Sequence, residues 1–269
     1  MAAFSSVFVG AMAVRGSMNL MLVTGVMWSP GIAAILTCLI LRRSIASLPW
    51  RWGEWRWNWY AWFLPVAYGL AIYLPVWVFG LGGSGFGNPE TLAEWSSQLT
   101  GSTDPNLGAS LLFLVILATI GLVGTASRAL GEEIGWRGFM IWEMRKVMPF
   151  WAVGLLSGLI WSVWHWPGIL LADYNAGEGN FYVQMALFTL AIVPKGIIYA
   201  YLTFKSNSLW PAVILHASHN LMIQQVYTPL TTRGEGTHFY IDEFGIMLPI
   251  ASVILAIYFY RRAIREGIA

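Results

Sequence analysis

Two adjacent carboxylates and an arginine, in Gly131-Glu132-Glu133-Ile134-Gly135-Trp136-Arg137-Gly138, sit where nearly everything around them is apolar. Ionisable groups close to lipid are expensive and need either partners or a task. Further along, Trp161-x-x-x-His165 and His216-x-x-x-Asn220 put two imidazoles and an amide into equally apolar surroundings. A carboxylate to take a proton, imidazoles to relay one and an amide to steady an oxyanion suit hydrolysis at a carbonyl. These three stretches are expected to form one intramembrane hydrolytic site.

Spacing assigns first roles. Glu133 and Arg137 stand i, i+4 with the acid nearer the N-terminus, the favourable order for a helical ion pair. Glu132 lies about 100° round the same helix and cannot share that geometry. If the segment is helical, Glu133 is the held carboxylate and Glu132 the free one, suited to act as general base. His216 and Asn220 share one face of a helix, again through i, i+4 spacing. His219 is close to that face and reads as supporting or structural. His238, the last of four histidines, falls in a late loop away from these stretches.

Each motif also has a plainer reading. The acidic pair could be a charged turn ending a membrane span, His165 an interhelical hydrogen bond, and Asn220 glue between helices. Lys195, after Pro194, could snorkel, pair with an acid or touch a substrate. Convergence of two acids, two histidines and an asparagine on three apolar helices favours a site over three coincidences.

The elements that must position these groups follow from composition. The chain has 269 residues, 57% hydrophobic and 10% charged, against about 25% charged in soluble domains. Apolar runs near the roughly 20 residues needed to span a bilayer recur along its length. The expected fold is all-α, a polytopic transmembrane bundle of about eight helices forming a single integral-membrane domain over residues 1–269. Spans fit roughly 5–26, 28–41, 60–80, 109–127, 150–170, 181–203, 209–227 and 244–260. Pro167 is expected to kink or stop its helix near Trp166. Met1 to Val14 lacks the basic start of a secretory signal and reads as part of the first span. One cysteine, Cys38, excludes an intramolecular disulfide. A net charge of +2 argues against nucleic acid.

Charge placement agrees with eight spans. All Lys and Arg except Arg15, Lys195 and Arg233 fall on one side. The opposite loops hold Glu90, Glu94, Asp104, Asp173, Glu178, Glu235, Asp242 and Glu243. The positive-inside rule then puts both termini in the cytoplasm. Tryptophans at 50, 52, 55, 57, 59 and 62, interleaved with Arg51 and Arg56, read as an interfacial belt. The Gly- and Ser-rich segment 80–108 reads as an external loop with a short helix around Thr91–Gln98. One depth problem remains. His165 would stand about 22 Å along its helix, deeper than His216 at about 10 Å, so a helix must begin outside lipid, tilt, or follow Glu132 inward.

From Ala118 to Gln225 the chain resembles the CAAX-protease and bacteriocin-processing (CPBP, or Abi) intramembrane proteases. The resemblance rests on Glu132-Glu133-x-x-x-Arg137, Trp161-x-x-x-His165 and His216-x-x-x-Asn220 in family order. The fuller strings Glu132–Gly138 and Trp161–Pro167 look like the bacterial branch, hence a bacterial plasma membrane. The resemblance implies an eight-helix bundle with its site open towards the cytoplasm. It implies that Glu132 with His165 activates water, that His216 and Asn220 stabilise the oxyanion, and that Glu133 and Arg137 are a supporting pair.

The expected activity is therefore an endopeptidase acting on a peptide or membrane-protein segment near the cytoplasmic leaflet, with the lipid bilayer as its other partner. No cofactor is expected, the alternative being one zinc ion held by two histidines and a carboxylate; no His-Glu-x-x-His occurs. A rival of another class is a non-proteolytic scaffold, bacteriocin-immunity factor or permease using the same polar site for binding. The sequence sets neither the substrate nor the oligomeric state.

Overall fold

A computed structural model describes residues 1–16, 19–83, 88–174, 177 and 179–269. Glu178, counted above among the loop acids, lies outside the described residues. Among those residues the chain is helical, with no β-strand beyond a single antiparallel pairing of Gly83 with Thr232. Nine helices carry the fold: α1 (Ala2–Arg15), α2 (Leu20–Ile40), α3 (Trp55–Val78), α4 (Pro89–Thr100), α5 (Leu107–Arg145), α6 (Phe150–Leu171), α7 (Phe181–Ser206), α8 (210–230) and α9 (Met247–Arg265). Six of them, α2, α3, α5, α6, α7 and α9, are long and apolar enough to cross a membrane. This is a polytopic all-α bundle. The short α4 contains the helix expected around Thr91–Gln98.

Several boundaries differ from expectation, each for a local reason. The first break falls at Gly16 rather than near residue 27. Gly16 takes a left-handed conformation (φ 65°) that ends α1, and the Asn19 side chain accepts from Met21 N to start α2. Pro30 thus sits inside α2, buried against α5, instead of opening a helix. Pro167 likewise does not stop α6, which runs on to Leu171. Membrane helices tolerate such prolines because neighbouring groups and small local adjustments satisfy the freed carbonyl.

The largest difference is α5. Instead of a span ending near residue 127 and a separate charged segment, one 39-residue helix runs from Leu107 to Arg145. It stays helical by widening to π-helical turns over Leu117–Gly121 and Ile134–Met140. The second of these begins directly after Glu133, a placement typical of functional positions. Trp142 Nε1 donates to the Arg137 carbonyl within it (2.9 Å).

This continuity answers the depth problem. Glu132 lies thirteen residues before Arg145, about 20 Å, close to the roughly 22 Å that separates His165 from Phe150. His216 joins them because α8 starts recessed. Leu209 N donates to the Pro49 carbonyl (2.9 Å) and Trp210 Nε1 to the Trp50 carbonyl (2.8 Å), so the 49–52 loop covers its first turn. The tryptophan cluster is therefore only partly a belt. Trp55 and Trp59 are exposed, whereas Trp57 is buried in the core.

Close backbone approach fixes the helices that matter. A Cβ on Gly131 would lie 2.7 Å from Trp28 Cα, and one on Gly135 would lie 2.6 Å from the Pro30 carbonyl carbon, which pins α5 to α2. On the other side, a Cβ on Gly196 would stand 2.1 Å from the Gly154 carbonyl oxygen, and one on Gly158 2.4 Å from that of Val193. Small residues let membrane helices reach the separation at which packing holds them together. Gly196→Leu should therefore separate α6 from α7 and destabilise the bundle by more than the about 1–3 kcal/mol usual for overpacking. A thermal melt of purified protein in detergent should show this loss, with Gly10→Leu, at a position with open space around it, nearly unchanged.

Candidate active site

Glu132 and Glu133 are adjacent, both buried, and serve different partners. Glu133 takes Arg137 Nη1 on both oxygens (3.0 and 3.1 Å) and also meets His216 Nδ1 at 2.8 Å. Arg137 is fully buried, and its Nε and Nη2 have no hydrogen-bond partner among the described residues. Its guanidinium lies instead over the rings of Trp161 (4.4 Å) and Tyr199 (4.1 Å), a cation–π sandwich that replaces the missing acceptors. The helical ion pair expected from spacing is present, and it also orients an imidazole from another helix.

Glu132 is not free in the sense expected. Its Oε2 accepts from Trp161 Nε1 at 2.7 Å and, more weakly, from Trp136 Nε1 at 3.4 Å. Both donors are neutral indoles, so the carboxylate is oriented without a cation beside it. That gives Trp161 a role in the motif: its N–H reaches across from α6 to hold an acid on α5.

His165 lies one turn further along α6, where its Nδ1 donates to the Trp161 carbonyl (2.9 Å). Because a carbonyl only accepts, this bond places the proton on Nδ1 and leaves Nε2 as the acceptor of the neutral ring. His216 is held through Nδ1 by Glu133, which leaves its Nε2. Glu132, His165, His216 and Asn220 all line one cavity of about 140 Å³. That is room for several water molecules. All four predicted catalytic residues thus border the same space, with Glu133 and Arg137 packed behind it. His238 is not among the lining residues.

The same residues fall within a matched family region. Residues 105–222 match the family described as Type II CAAX prenyl endopeptidase Rce1-like. The chain is also 28% identical, over 173 residues, to a protein named CAAX prenyl protease 2 from Methanococcus maripaludis. That alignment covers 63% of this chain and 56% of the relative, so the chain spans little more than half the length of the curated relative it matches. Over the matched region the chain is similar to CAAX proteases.

The matched region ends at residue 222, yet the cavity does not. Gln224 and Glu243 beyond it, and Tyr174 within it, add to the polar lining, and none is among the predicted site residues. Glu243 had been counted as an external loop acid; it is buried. It accepts from Gln224 Nε2 (2.8 Å) and from the Tyr174 hydroxyl, and stands 3.0 Å from His219 Nε2. Burial raises its pKa, but the His219 hydrogen bond, the Lys195 charge and the Tyr174 hydrogen bond outweigh burial and hold it at about 2. The only sequence signal was an Asp-Glu pair directly ahead of an apolar helix, which a solvated loop shows equally well.

His219 and Lys195 form the back of this second cluster. Lys195 Nζ lies 2.9 Å from His219 Nε2, the same nitrogen that faces Glu243, while Tyr68 OH lies 2.5 Å from Nδ1. Lys195 can donate to that nitrogen only when it is unprotonated, and Glu243 can accept from it only when it carries the proton. One of the two contacts is a hydrogen bond at a time. Lys195 is buried, which excludes snorkelling, and its nearest polar partner is the imidazole of His219.

Among the described residues, no three His, Cys, Asp or Glu side chains are spaced to ligate one ion.

The cavity extends beyond Glu132, His165, His216 and Asn220. Its further lining comes from Val23, Val26 and Met27 near the start of α2, Ala172 and Tyr174 after α6, and Glu243 before α9. All belong to the helix ends opposite the basic ones. Phe150, Trp136, Arg137 and Tyr199 are buried, and a separate pocket on the basic side is lined by Arg43, Gly138, Arg145 and Lys146.

Asp242 supplies a test of the second cluster. Burial first, and then the charge of Glu243, raises its pKa from 3.8 to about 6. An acid whose pKa is raised in the folded state contributes stability that is fully present below pH 3.8 and lost as pH rises through about 6. Asp242→Asn keeps an oxygen for Glu243 N, which bonds Oδ1 at 2.7 Å. This variant should melt higher than wild type at about pH 8, with the gap closing towards about pH 4. Thermal melts across that range check it.

Proposed function

We propose that the chain is an intramembrane endopeptidase that hydrolyses a peptide bond of a peptide or membrane-protein substrate, without a metal ion. The observation that carries this reading is the shared cavity lined by Glu132, His165, His216 and Asn220. Likeness to a protein named CAAX prenyl protease 2 supports it.

In this reading a water molecule lies between Glu132 Oε1 and His165 Nε2. Glu132 takes a proton from it as the oxygen attacks the scissile carbonyl carbon, and His165 orients the water through Nε2. Negative charge then develops on the carbonyl oxygen. Asn220 donates to it through its amide, and His216 donates through Nε2, with Glu133 accepting from Nδ1 and stabilising the charged ring. Collapse of the tetrahedral species breaks the C–N bond, and the proton held by Glu132 passes to the leaving amine. Atoms and charge balance without another reactant. Arg137 holds Glu133 in place, and the indoles of Trp161 and Trp136 fix Glu132.

The test is cleavage by purified protein of a peptide library, followed by kinetics on the best substrate. Glu132→Gln should lower kcat by about 10²–10⁴ and Asn220→Ala by about 10²–10³. Both should elute and melt like wild type. Trp161→Phe, which removes the 2.7 Å donor to Glu132, should lower kcat with little change in KM. Chelation should leave wild-type turnover unchanged. Full activity of Glu132→Gln would remove the mechanism and favour a binding protein that uses the same polar cavity.

A further inference from the structure

The helix ends that carry most of the basic residues do not spend them alike. At the ends of α7 and α9, Lys205 and Arg262 both reach Glu266 (2.7 and 2.8 Å), and both lie over the Trp57 ring. At the ends of α2 and α5 the balance is different. Arg43, Arg51, Arg145 and Lys146 line one pocket of about 830 Å³, and Glu143 is the one acid among the described residues that line it. That volume falls in the range of ordinary small-ligand sites.

Glu143 answers two of the four cations. Its Oε1 lies 2.7 Å from Arg43 Nη1, and its two oxygens accept from Lys146 Nζ at 2.7 and 2.8 Å. Arg145 donates Nη1 to the Met148 carbonyl and Nη2 to that of Ile268, contacts that bring no counter-charge. Arg51 is exposed and makes no hydrogen bond or ion pair among the described residues. Like charges gathered in a concavity raise the local concentration of an anion. The chain is also bent to place them. Arg42 takes a left-handed conformation (φ 53°) that favours glycine, and Arg43 N donates back to the Cys38 carbonyl (2.8 Å). The turn leaves Arg43 facing Glu143 of α5, and backbone strain of this kind gathers at ligand clamps.

We infer that this pocket binds the phosphate headgroup of an anionic membrane lipid, with Arg51 and the free side of the Arg43 fork as its main donors. Both helices are of membrane-spanning length, so their ends lie at headgroup level, where basic pockets between spans suit lipid phosphates. Arginine matches phosphate with two parallel N–H groups. Leu41 and Val147, next in sequence to Arg42-Arg43 and Arg145-Lys146, are exposed apolar residues that acyl chains can meet; a soluble phosphate would make no use of them. Gly138 and Phe139 line the pocket and belong to the π-helical turn Ile134–Met140. The bound headgroup therefore rests against the segment that carries Arg137.

Native mass spectrometry of purified full-length protein in a neutral detergent tests this, by titration with phosphatidylglycerol or with phosphatidylcholine of the same acyl chains. Wild type should retain phosphatidylglycerol in preference, and inorganic phosphate should displace it only weakly. Arg51→Gln breaks no contact within the protein and should lower that affinity about fivefold, and Arg43→Gln with Arg51→Gln about 30-fold. Arg261→Gln with Arg265→Gln removes as much charge from the other basic cluster and should leave it nearly unchanged. Each variant is first checked for a wild-type elution profile. Because Arg43 is paired with Glu143, Arg51→Gln alone decides the matter if the double variant does not fold. Equal retention of the two lipids, equal loss in the two double variants, or no loss in Arg51→Gln overturns the proposal. So does full displacement by inorganic phosphate, the mark of a soluble-anion site, or by an acidic peptide, the mark of a polypeptide site. None of these residues lines the cavity of Glu132, so failure here leaves the hydrolytic reading untouched.

Discussion

A guanidinium enclosed among membrane helices is the costliest group in this chain, and the way it is satisfied fixes most of the site. Arg137 is fully buried; it gives one nitrogen to Glu133 and lays its plane between Trp161 and Tyr199. A charge in such surroundings survives only with a close counter-charge and further compensation. Each compensating group then acquires a second duty. Glu133, bound by Arg137, has the strength to hold His216 by Nδ1. Trp161, stacked on Arg137, points its N–H at Glu132. The pair that looks merely structural thus orients both the acid and the imidazole that face the cavity. Replacing either partner would leave an uncompensated charge as well as two misplaced side chains, so a loss of activity there would not by itself reveal a chemical role.

Helix geometry obeys the same constraint. To bring an acid from α5, a histidine from α6 and a histidine and an amide from α8 to one depth, three helices must meet at different distances along their lengths. The chain does this with a 39-residue α5, a recessed α8 and glycine contacts that let α2 and α7 come within backbone distance of their neighbours. The π-helical turns beginning at Ile134 and at Asn220 adjoin the cavity-lining groups on both α5 and α8. A wider turn rotates the later part of its helix, which keeps Arg137 against Glu133 while the rest of α5 stays in contact with α2.

Much of the candidate site is legible in the sequence because it is local. The i, i+4 pairs Glu133–Arg137, Trp161–His165 and His216–Asn220 each fall within one helix, where spacing alone decides which side chains share a face. Contacts that cross between helices could not be read. Trp161 as the donor to Glu132, and His216 as the partner of Glu133, depend on packing that no single-helix pattern encodes. Glu243 is the extreme case. Its partners are Tyr174, His219 and Gln224, on other elements, and in the sequence it is one acid among several in a loop. Helix ends were missed for a related reason: Pro30 and Pro167 are breakers by local propensity, yet tertiary contact in an apolar bundle carries the helix through both.

The second polar layer bears on how the first one works. Glu243 accepts from three side chains and competes with Lys195 for one nitrogen of His219. His219 and Asn220 are neighbours on α8, and His216 lies one turn away, so whatever holds His219 also limits how α8 can rotate about its axis. A carboxylate anchored from the segment before α9 therefore braces the helix face that carries both proposed oxyanion donors. Oxyanion stabilisation depends on donors being fixed before charge develops. The matched family region stops short of this brace. The brace on the α8 face therefore comes from a residue beyond the matched family region.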